Sequence, residues 1–300
     1  MELITKVAIA QPHKKITFKS RILMVGSCFA DEVGNLLKIY GFESCINPFG
    51  TLYNPVSVIN SLRKIAAPTP FEEEEVIFTG PPNAPLQLFC SFWHHSRFAR
   101  PSAAEFLEYA NGQLEQASAF FKEADTIIIT LGTAWVFRHL ASGMVVSNCH
   151  KIEPKEFRRE FLQVNEVLSL LEPFITEYPD KEFFLTVSPI RHLKDGAHGN
   201  NISKATLLLA IEALQQKGHK NVDYFPAYEI LLDELRDYRF YGEDMVHPSQ
   251  QAVKYIFERF TDSFIAPSEY ETMRVNLRRF KQSAHLSGKN PESPFGLRGL

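Results

Sequence analysis

The chain has 300 residues, of which 45% are hydrophobic and 22% charged, and its formal net charge is −3. These proportions are typical of a globular protein with a sizeable core, and they argue against nucleic-acid binding, which needs clustered positive charge. The first twenty residues lack the layout of a signal peptide, and no apolar run approaches the length of a membrane span. The four cysteines are widely spaced and form no C-x-x-C motif, which argues against a disulfide scaffold or a structural zinc site. We therefore expect a reduced, cytoplasmic protein.

Short apolar strands alternate with longer amphipathic helices along the chain. Strands are expected at residues 22–26, 44–46, 125–132, 182–190 and 221–227. Helices are expected at 31–40, from Pro55 onward, and at 102–123, 154–177, 203–217 and 248–264, the last being the final regular helix. This alternation predicts a parallel sheet with helices on both faces.

The domain boundaries follow from the same pattern. We expect one domain over residues 21–265, preceded by an irregular lead-in at 1–20 and followed by a C-terminal extension at 266–300. The proline-rich segment 67–101 is an insertion, and its aromatic residues favour an ordered excursion that packs on the domain. A hairpin is expected around Ser142 and Gly143.

Ser27 follows the first predicted strand, at the start of the first helix. Serine is a preferred helix N-cap, so a capping role is the simplest interpretation. The carboxyl end of a strand in an open α/β sheet is also where ligand chemistry is found, so Ser27 could equally be a nucleophile. The neighbouring thiol of Cys28 is an alternative nucleophile, since a thiolate can be activated at a helix N-terminus.

Asp244 and His247 stand three residues apart, immediately before Pro248 and the last predicted helix. At this spacing a carboxylate can accept a hydrogen bond from the imidazole Nδ1–H, which leaves Nε2 to take a proton from a hydroxyl group. Ser27, Asp244 and His247 are therefore the predicted catalytic residues.

Several motifs resemble one known family in the same order along the chain. They are GSCFA (26–30), NPFGTLYNP (47–55), TLGTAWVF (130–137), NCHKIEPKEF (148–157), TVSPIRHLKDG (186–196) and DMVHPSQQAV (244–253). Over about residues 5–265 the chain resembles the GSCFA family, which is similar to the SGNH (GDSL-like) hydrolases.

The resemblance implies a flavodoxin-like, three-layer α/β/α sandwich with a mainly parallel sheet of about five strands. It implies Ser27 as nucleophile, Asp244 as the orienting acid and His247 as general base, with no cofactor. The backbone N–H groups of Ser27 and Gly50 are the implied oxyanion donors. Thr133 occupies the place of a usual third donor, an asparagine, and either Thr133 itself, Asn148 or Asn200 could supply that hydrogen bond.

The remaining candidate residues follow predicted strands or lie in the insertion. We expect a substrate-binding role for Asn47, His94, His95, Trp135, Asn148, His150 and Arg191. Adjacent pairs such as His94 and His95 cannot easily converge on one ion, so no metal site is expected.

The predicted function is ester hydrolysis through an acyl-enzyme. By analogy with other SGNH esterases, the expected substrates are small O-acyl esters, for example of sugars or glycans, and neither nucleic acid nor a membrane is an expected partner. Two alternatives stay open: an acyltransferase that uses the same acyl-enzyme, and a non-catalytic ligand-binding module on the same fold.

Overall fold

The computed structural model describes residues 4–80 and 87–286. The strands are β1 (Arg21–Gly26), β2 (Glu43–Ile46), β3 (Ile77–Thr79), β4 (Leu88–Cys90), β5 (Thr126–Leu131), β6 (Trp135–His139), β7 (Val145–Val146), β8 (Phe157–Phe161), β9 (Glu182–Val187) and β10 (Val222–Tyr224). The helices are α1 (Cys28–Tyr40), α2 (Pro55–Ala66), α3 (Ala103–Glu123), α4 (Val164–Glu177), α5 (Gly196–Gln216), α6 (Ala227–Glu229), α7 (Gln250–Phe264) and α8 (Tyr270–Leu286).

The central sheet has five parallel strands in the spatial order β2-β1-β5-β9-β10. Counted within this sheet alone, the order is 2-1-3-4-5, which is that of the flavodoxin-like doubly wound fold. Gly26 at the end of β1 pairs with Thr130, and Leu131 at the end of β5 pairs with Val187. The carboxyl ends of β1, β5 and β9 therefore lie side by side, and the predicted fold is confirmed.

Helices cover both faces of the sheet, because alternate side chains of each buried strand point to opposite sides. Leu23 and Val25 of β1 join a core formed with α2, α3, α4 and α5. Ile22 and Met24 join a second core formed with α1, α7 and α8. The result is the three-layer sandwich that the sequence predicts.

Two small antiparallel sheets were only partly foreseen. Within the insertion, β3 pairs with β4. Strand β6 pairs with β7, as the predicted hairpin requires, and also with β8. The prediction of a helix from residue 154 is therefore wrong for residues 157–163, which follow a single 3₁₀ turn at Pro154–Glu156. Helix α4 begins at Val164, where Gln163 and Glu166 form a reciprocal capping box.

The chain after residue 265 is helical. Helix α8 packs on α1, where the Asn276 side-chain amide donates to the Tyr40 carbonyl oxygen at 2.9 Å, so the prediction that residues 248–264 form the final regular helix is wrong. The lead-in includes a parallel bridge between Ile16 and Ile265. Across residues 4–80 and 87–286, the structure contains no helix that is both long and apolar enough to span a bilayer.

Candidate active site

Ser27 occupies the N-cap position of α1, but its side chain does not cap the helix. At α2, α3 and α7 the N-cap side chain accepts a hydrogen bond from a backbone N–H of the first turn. The Ser27 Oγ makes no hydrogen bond to any described residue, although the residue is only 1% exposed. A buried hydroxyl without a partner is costly. The local fold therefore presents this hydroxyl without using it for structure.

The turn before Ser27 requires glycine. Gly26 has a φ of +149°, and a Cβ built on it would lie 2.2 Å from the carbonyl oxygen of Thr130. Its N–H donates to the Asn47 Oδ1 at 2.8 Å, and its carbonyl oxygen accepts from the Leu52 N–H at 2.8 Å. The turn that presents Ser27 is thus fastened to β5 and to the loop after β2.

Asp244 and His247 form the predicted pair. The Asp244 Oδ2 lies 2.6 Å from the His247 Nδ1. The Asp244 Oδ1 accepts from the backbone N–H groups of Val246 and His247, both at 2.9 Å. The hydrogen bonds from His247 are the largest cause that lowers the pKa of the Asp244 carboxyl to about 2. An ionised carboxylate favours a proton on Nδ1, which leaves Nε2 as the acceptor.

Arg191 holds this pair at the sheet edge. Its backbone N–H donates to the Val246 carbonyl oxygen at 3.1 Å, and its guanidinium Nη1 donates to the Met245 carbonyl oxygen at 3.4 Å. The guanidinium also lies 5.4 Å from the ring centre of Tyr241. The predicted contact of Arg191 with substrate stays a prediction, because its observed contacts are to the loop that carries His247.

Ser27 and His247 lie at the same edge of the sheet without touching. Strands β1 and β9, which lead to Ser27 and to Arg191, are separated only by β5. Two strand spacings amount to roughly 10 Å. Because the Ser27 Oγ has no hydrogen-bond partner among the described residues, the His247 Nε2 is not bonded to it in this conformation.

The three predicted oxyanion donors all have partners within the protein. The Ser27 N–H donates to the Thr130 carbonyl oxygen at 3.1 Å, and the Gly50 N–H donates to the Asn47 carbonyl oxygen at 2.8 Å. The Thr133 hydroxyl lies 3.0 Å from the Ser203 Oγ, and it accepts from the Trp135 N–H at 3.1 Å. The N–H groups of Ser27 and Gly50 could serve an oxyanion only by giving up their present partners.

The alternative asparagine donors accept hydrogen bonds through their side-chain oxygens. The Asn148 Oδ1 accepts from the His150 N–H at 2.8 Å, and the Asn200 Oδ1 accepts from the His192 N–H at 2.9 Å. A role for either side-chain NH₂ group as the third oxyanion donor stays a prediction.

Asn47 joins three parts of the chain around the candidate site. Besides its bond to Gly26, its Nδ2 donates to the Asp31 Oδ1 at 2.8 Å, and its carbonyl oxygen accepts from the Arg97 guanidinium at 2.8 Å. The residue is 1% exposed. These contacts give Asn47 a structural role, whereas a contact with substrate is untested.

His95 lies against the loop that contains Gly50. Its N–H donates to the Phe49 carbonyl oxygen at 2.9 Å, and a Cβ added to Gly50 would lie 2.3 Å from the His95 Cβ. The side chain is half-buried, and burial lowers the pKa of its imidazole. Of the two adjacent histidines, His95 is the one nearer the candidate site.

The structure places His94 and His150 in the interior, and their predicted contact with substrate stays a prediction. His94 is 0% exposed, its ring lies 4.6 Å from that of Phe98, and its Nδ1 lies 2.7 Å from the Ser91 Oγ. The His150 Nε2 lies 2.8 Å from the Ser91 carbonyl oxygen. Burial lowers the pKa of His94 to about 3 and that of His150 to about 4, so both imidazoles are neutral.

Trp135 lies in the small sheet next to the central one. Its ring packs against Phe161 with centroids 4.8 Å apart, and the Arg159 guanidinium lies 4.1 Å from its centroid. Arg159 also forms an ion pair with Asp195, in the turn that precedes α5. These contacts connect the small sheet to the loop after β9.

Two further titratable residues at this edge, His192 and Lys204, were not predicted from the sequence. His192 is held neutral because burial, together with the charges of Lys204 and His247, lowers its pKa to about 3. Lys204 is 1% exposed and donates to two backbone carbonyl oxygens. The burial of Lys204 could have been predicted from the helical spacing in the sequence. Lys204 falls on the same face of α5 as three buried apolar residues, Leu207, Ile211 and Leu214.

Cys28 begins α1 and is half-buried, and none of the four cysteines, all within the described ranges, forms a disulfide. Among the described residues, no group of three or more His, Cys, Asp or Glu side chains is arranged to hold a metal ion.

The fold and this edge define the class: a flavodoxin-like α/β/α protein with a serine and an Asp–His pair at the carboxyl ends of its parallel strands. The chain belongs to the GSCFA family, whose model matches residues 21–260. No match to a curated protein was found.

Three solved structures are similar to this chain. A Streptococcus pneumonia protein described as a platelet activating factor has 14% identity and a TM-score of 0.40, over 81% of this chain and 83% of that one. A Clostridium thermocellum family 3 carbohydrate esterase has 11% identity and a TM-score of 0.40, over 85% and 98%. A Clostridium thermocellum family two carbohydrate esterase, solved with cellohexaose, has 13% identity and a TM-score of 0.38, over 85% and 65%.

Proposed function

We propose that the protein is an SGNH-type serine esterase that works through an acyl-enzyme. The observation that carries the proposal is the buried, unpartnered hydroxyl of Ser27 at the same sheet edge as the Asp244–His247 pair. An ordinary capping serine would bond to its own helix, and this one does not.

In the proposed reaction, the Ser27 Oγ attacks the ester carbonyl while the His247 Nε2 takes its proton. The Asp244 carboxylate holds the imidazole and stabilises its positive charge. The N-terminus of α1 favours the negative charge on the tetrahedral intermediate. His247 then returns the proton to the leaving alcohol, and water, activated by His247, releases the acid and frees Ser27.

The reaction requires movement from the conformation described. His247 must come within hydrogen-bond distance of Ser27, and at least one oxyanion donor must exchange its internal partner for the substrate. Catalytic hydrogen bonds are often long or absent without substrate and tighten in the complex. The side chains of His247 and Asp244 are 33% and 52% exposed, so neither is enclosed by the core.

We further propose small O-acyl esters, such as acetylated sugars or glycans, as the substrate class. This preference rests on the family resemblance and on the Ser–Asp–His set. It is tested separately from the serine chemistry, by screening acetylated sugars for acetate release with and without an acceptor alcohol. Product that forms only with the acceptor would identify an acyltransferase.

The primary test is intact-protein mass spectrometry after reaction with a fluorophosphonate. We expect one adduct on the wild type and none on Ser27→Ala. Ser102→Ala is the matched control, because it removes a serine that caps α3 through its side chain. An adduct that persists on Ser27→Ala would overturn the assignment of the nucleophile. A folded wild type that forms no adduct would favour a non-catalytic binding module.

A further inference from the structure

Lys204 is a buried lysine on the face of α5 that packs against the sheet. It is 1% exposed, and its Nζ donates to the Gly132 carbonyl oxygen at 2.6 Å and to the Ser188 carbonyl oxygen at 2.7 Å. Both of these hydrogen-bond acceptors are backbone carbonyl oxygens.

A buried ammonium group destabilises a protein core, because its charge is removed from water. Burial disfavours the charged form and lowers the pKa of Lys204 to about 7. A methionine or leucine of similar size would avoid the desolvation of the charge. The position of the two carbonyl groups indicates what the lysine contributes in return.

Gly132 and Ser188 each follow directly on a central strand, β5 and β9. The N–H groups of Gly132 and Thr133 both donate to the Tyr53 carbonyl oxygen, at 2.8 and 2.9 Å, so the first turn also holds the loop after β2. The second turn leads within three residues to Arg191, which holds the loop of His247. One ammonium group therefore fastens together the turns on which both halves of the candidate site depend.

The ammonium group lies among titratable side chains from three elements. Three titratable groups face it: Cys28 from α1, His192 from the turn after β9, and Tyr228 from α6, whose ring centre is 5.7 Å from the Nζ. Cys28 is the neighbour of Ser27 at the N-terminus of α1. Since the Ser27 Oγ has no hydrogen-bond partner among the described residues, Lys204 is not hydrogen-bonded to it in this conformation.

We propose that Lys204 is a positioning residue of this site: its ammonium group fixes the turns after β5 and β9, and its charge favours the negative charge that develops at Ser27. The positioning half stands on the contacts alone, whereas the charge half rests on the proposed serine chemistry. The two halves are tested by different measurements.

The chain offers a matched control at the opposite edge of the same strands. The Lys181 Nζ donates to the carbonyl oxygens of Phe121 and Ala124, at 2.8 and 2.5 Å, just before β5 begins. Lys181→Met therefore removes the same kind of contact far from Ser27.

The positioning half is tested by hydrogen–deuterium exchange of residues 131–135 and 187–192. We expect Lys204→Met to speed exchange in both segments at least tenfold, while Lys181→Met leaves them unchanged. Exchange at the wild-type rate in Lys204→Met would overturn this half. Should Lys204→Met fail to fold, the wild type supplies the test: exchange in the two segments, corrected for its intrinsic pH dependence, should rise between pH 6 and pH 9.

The charge half is tested by the rate at which a fluorophosphonate labels Ser27 between pH 5.5 and 9.5. We expect Lys204→Met to react at least tenfold more slowly than wild type at pH 6, with the gap narrowing above pH 8 as the wild-type amine loses its proton. Lys204→Arg should recover part of the rate and keep it at alkaline pH. A wild-type to Lys204→Met ratio that is constant with pH would overturn the charge half. No labelling of wild type, combined with faster exchange in Lys204→Met, would refute the serine chemistry and the charge half while supporting the positioning.

Discussion

The backbone N–H of Arg191 donates to the carbonyl oxygen of Val246 at 3.1 Å, and through this bond the loop of the Asp–His pair is attached to the turn after β9. Val246 stands between Asp244 and His247, so the attachment is made within the pair itself. The orientation of His247 is therefore set by the central sheet as well as by its own carboxylate.

Removal of the Arg191 side chain should impair the site without unfolding the protein. Arg191→Ala keeps the backbone bond to Val246 but loses the guanidinium contacts with Met245 and Tyr241. We expect fluorophosphonate labelling of Ser27 to slow by about tenfold to a hundredfold, because small misplacements of a catalytic group have effects of that size. Arg239→Ala is the control, since this exposed arginine in the same loop lies over Phe240. Equal rates in the two variants would contradict the role of Arg191.

Loss of the Asp244 charge should slow the reaction less than loss of His247. Asp244→Asn keeps an oxygen that can accept from the backbone N–H groups of Val246 and His247, so the loop should keep its shape. We expect labelling to fall by about 10² to 10⁴ in Asp244→Asn and further in His247→Ala. A larger loss in Asp244→Asn than in His247→Ala would contradict this order.

The pH dependence gives a second test of the same carboxyl group. With its pKa lowered to about 2, Asp244 stays ionised through the whole mildly acidic range. The hydrogen bonds that favour its charged form therefore contribute to stability above pH 4 and are lost only as the pH falls toward 2. We expect the melting temperature of wild type to approach that of Asp244→Asn as the pH falls from 4 to 2, because the hydrogen bonds to the carboxylate are lost in that range. A difference that stays constant over that range would show that another group governs the loop.

The buried histidines should make the protein sensitive to mild acid. In the unfolded chain a histidine takes up a proton near pH 6.5, whereas His94 and His150 do so in the folded protein only near pH 3 and pH 4. The unfolded state thus binds more protons below pH 6.5, so stability is lost as the pH falls from there. We expect the melting temperature of His94→Phe to decline less than that of wild type between pH 7 and 4.5. His198→Phe, at an exposed position on α5, is the control, and parallel curves for all three proteins would refute the prediction.

A methyl group at position 26 should be tolerated much less well than one at another glycine of positive φ. In Gly26→Ala the Cβ would meet the Thr130 carbonyl oxygen, and we expect the free energy of unfolding to fall by about 3 kcal/mol or more. Gly143 has a φ of +70° with no heavy atom within 4 Å of the added Cβ, so Gly143→Ala should cost only about 1 kcal/mol. Urea denaturation of the two variants measures the difference in the free energy of unfolding. Equal decreases in the two variants would show that β1 and β5 can move apart without loss of stability.

The sheet was predictable because each central strand is a short apolar run, and alternation with helices leaves few possible topologies. Strand β8 was missed because Phe157–Phe161 continues naturally into the amphipathic pattern of α4, and only its pairing with β6 makes it a strand. Helix α8 was missed because most of its surface is polar, while Met273 is buried and Asn276 bonds to α1.

At the site, the residue types of the Asp–His pair were enough to predict their hydrogen bond, since both belong to one turn. The hydrogen bonds of the oxyanion donors could not be predicted in the same way. Sequence patterns place Gly50 and Thr133 in the loops after β2 and β5, but they carry no information on which carbonyl or hydroxyl each group already bonds. Lys204 was missed for a related reason, because its partners are backbone atoms that any residue would supply.

Ser27 precedes α1 directly and His247 lies two residues before the N-cap of α7, so each belongs to the entry of a separate helix on the same face of the sheet. These helices are in contact, for example where the rings of Tyr40 and Phe257 stack at 5.3 Å. The packing between these two helices therefore contributes to the placement of the serine relative to the imidazole. Substitutions that shift either helix sideways would therefore change the distance between Ser27 and His247, and so the reaction rate, even when they lie far from the site.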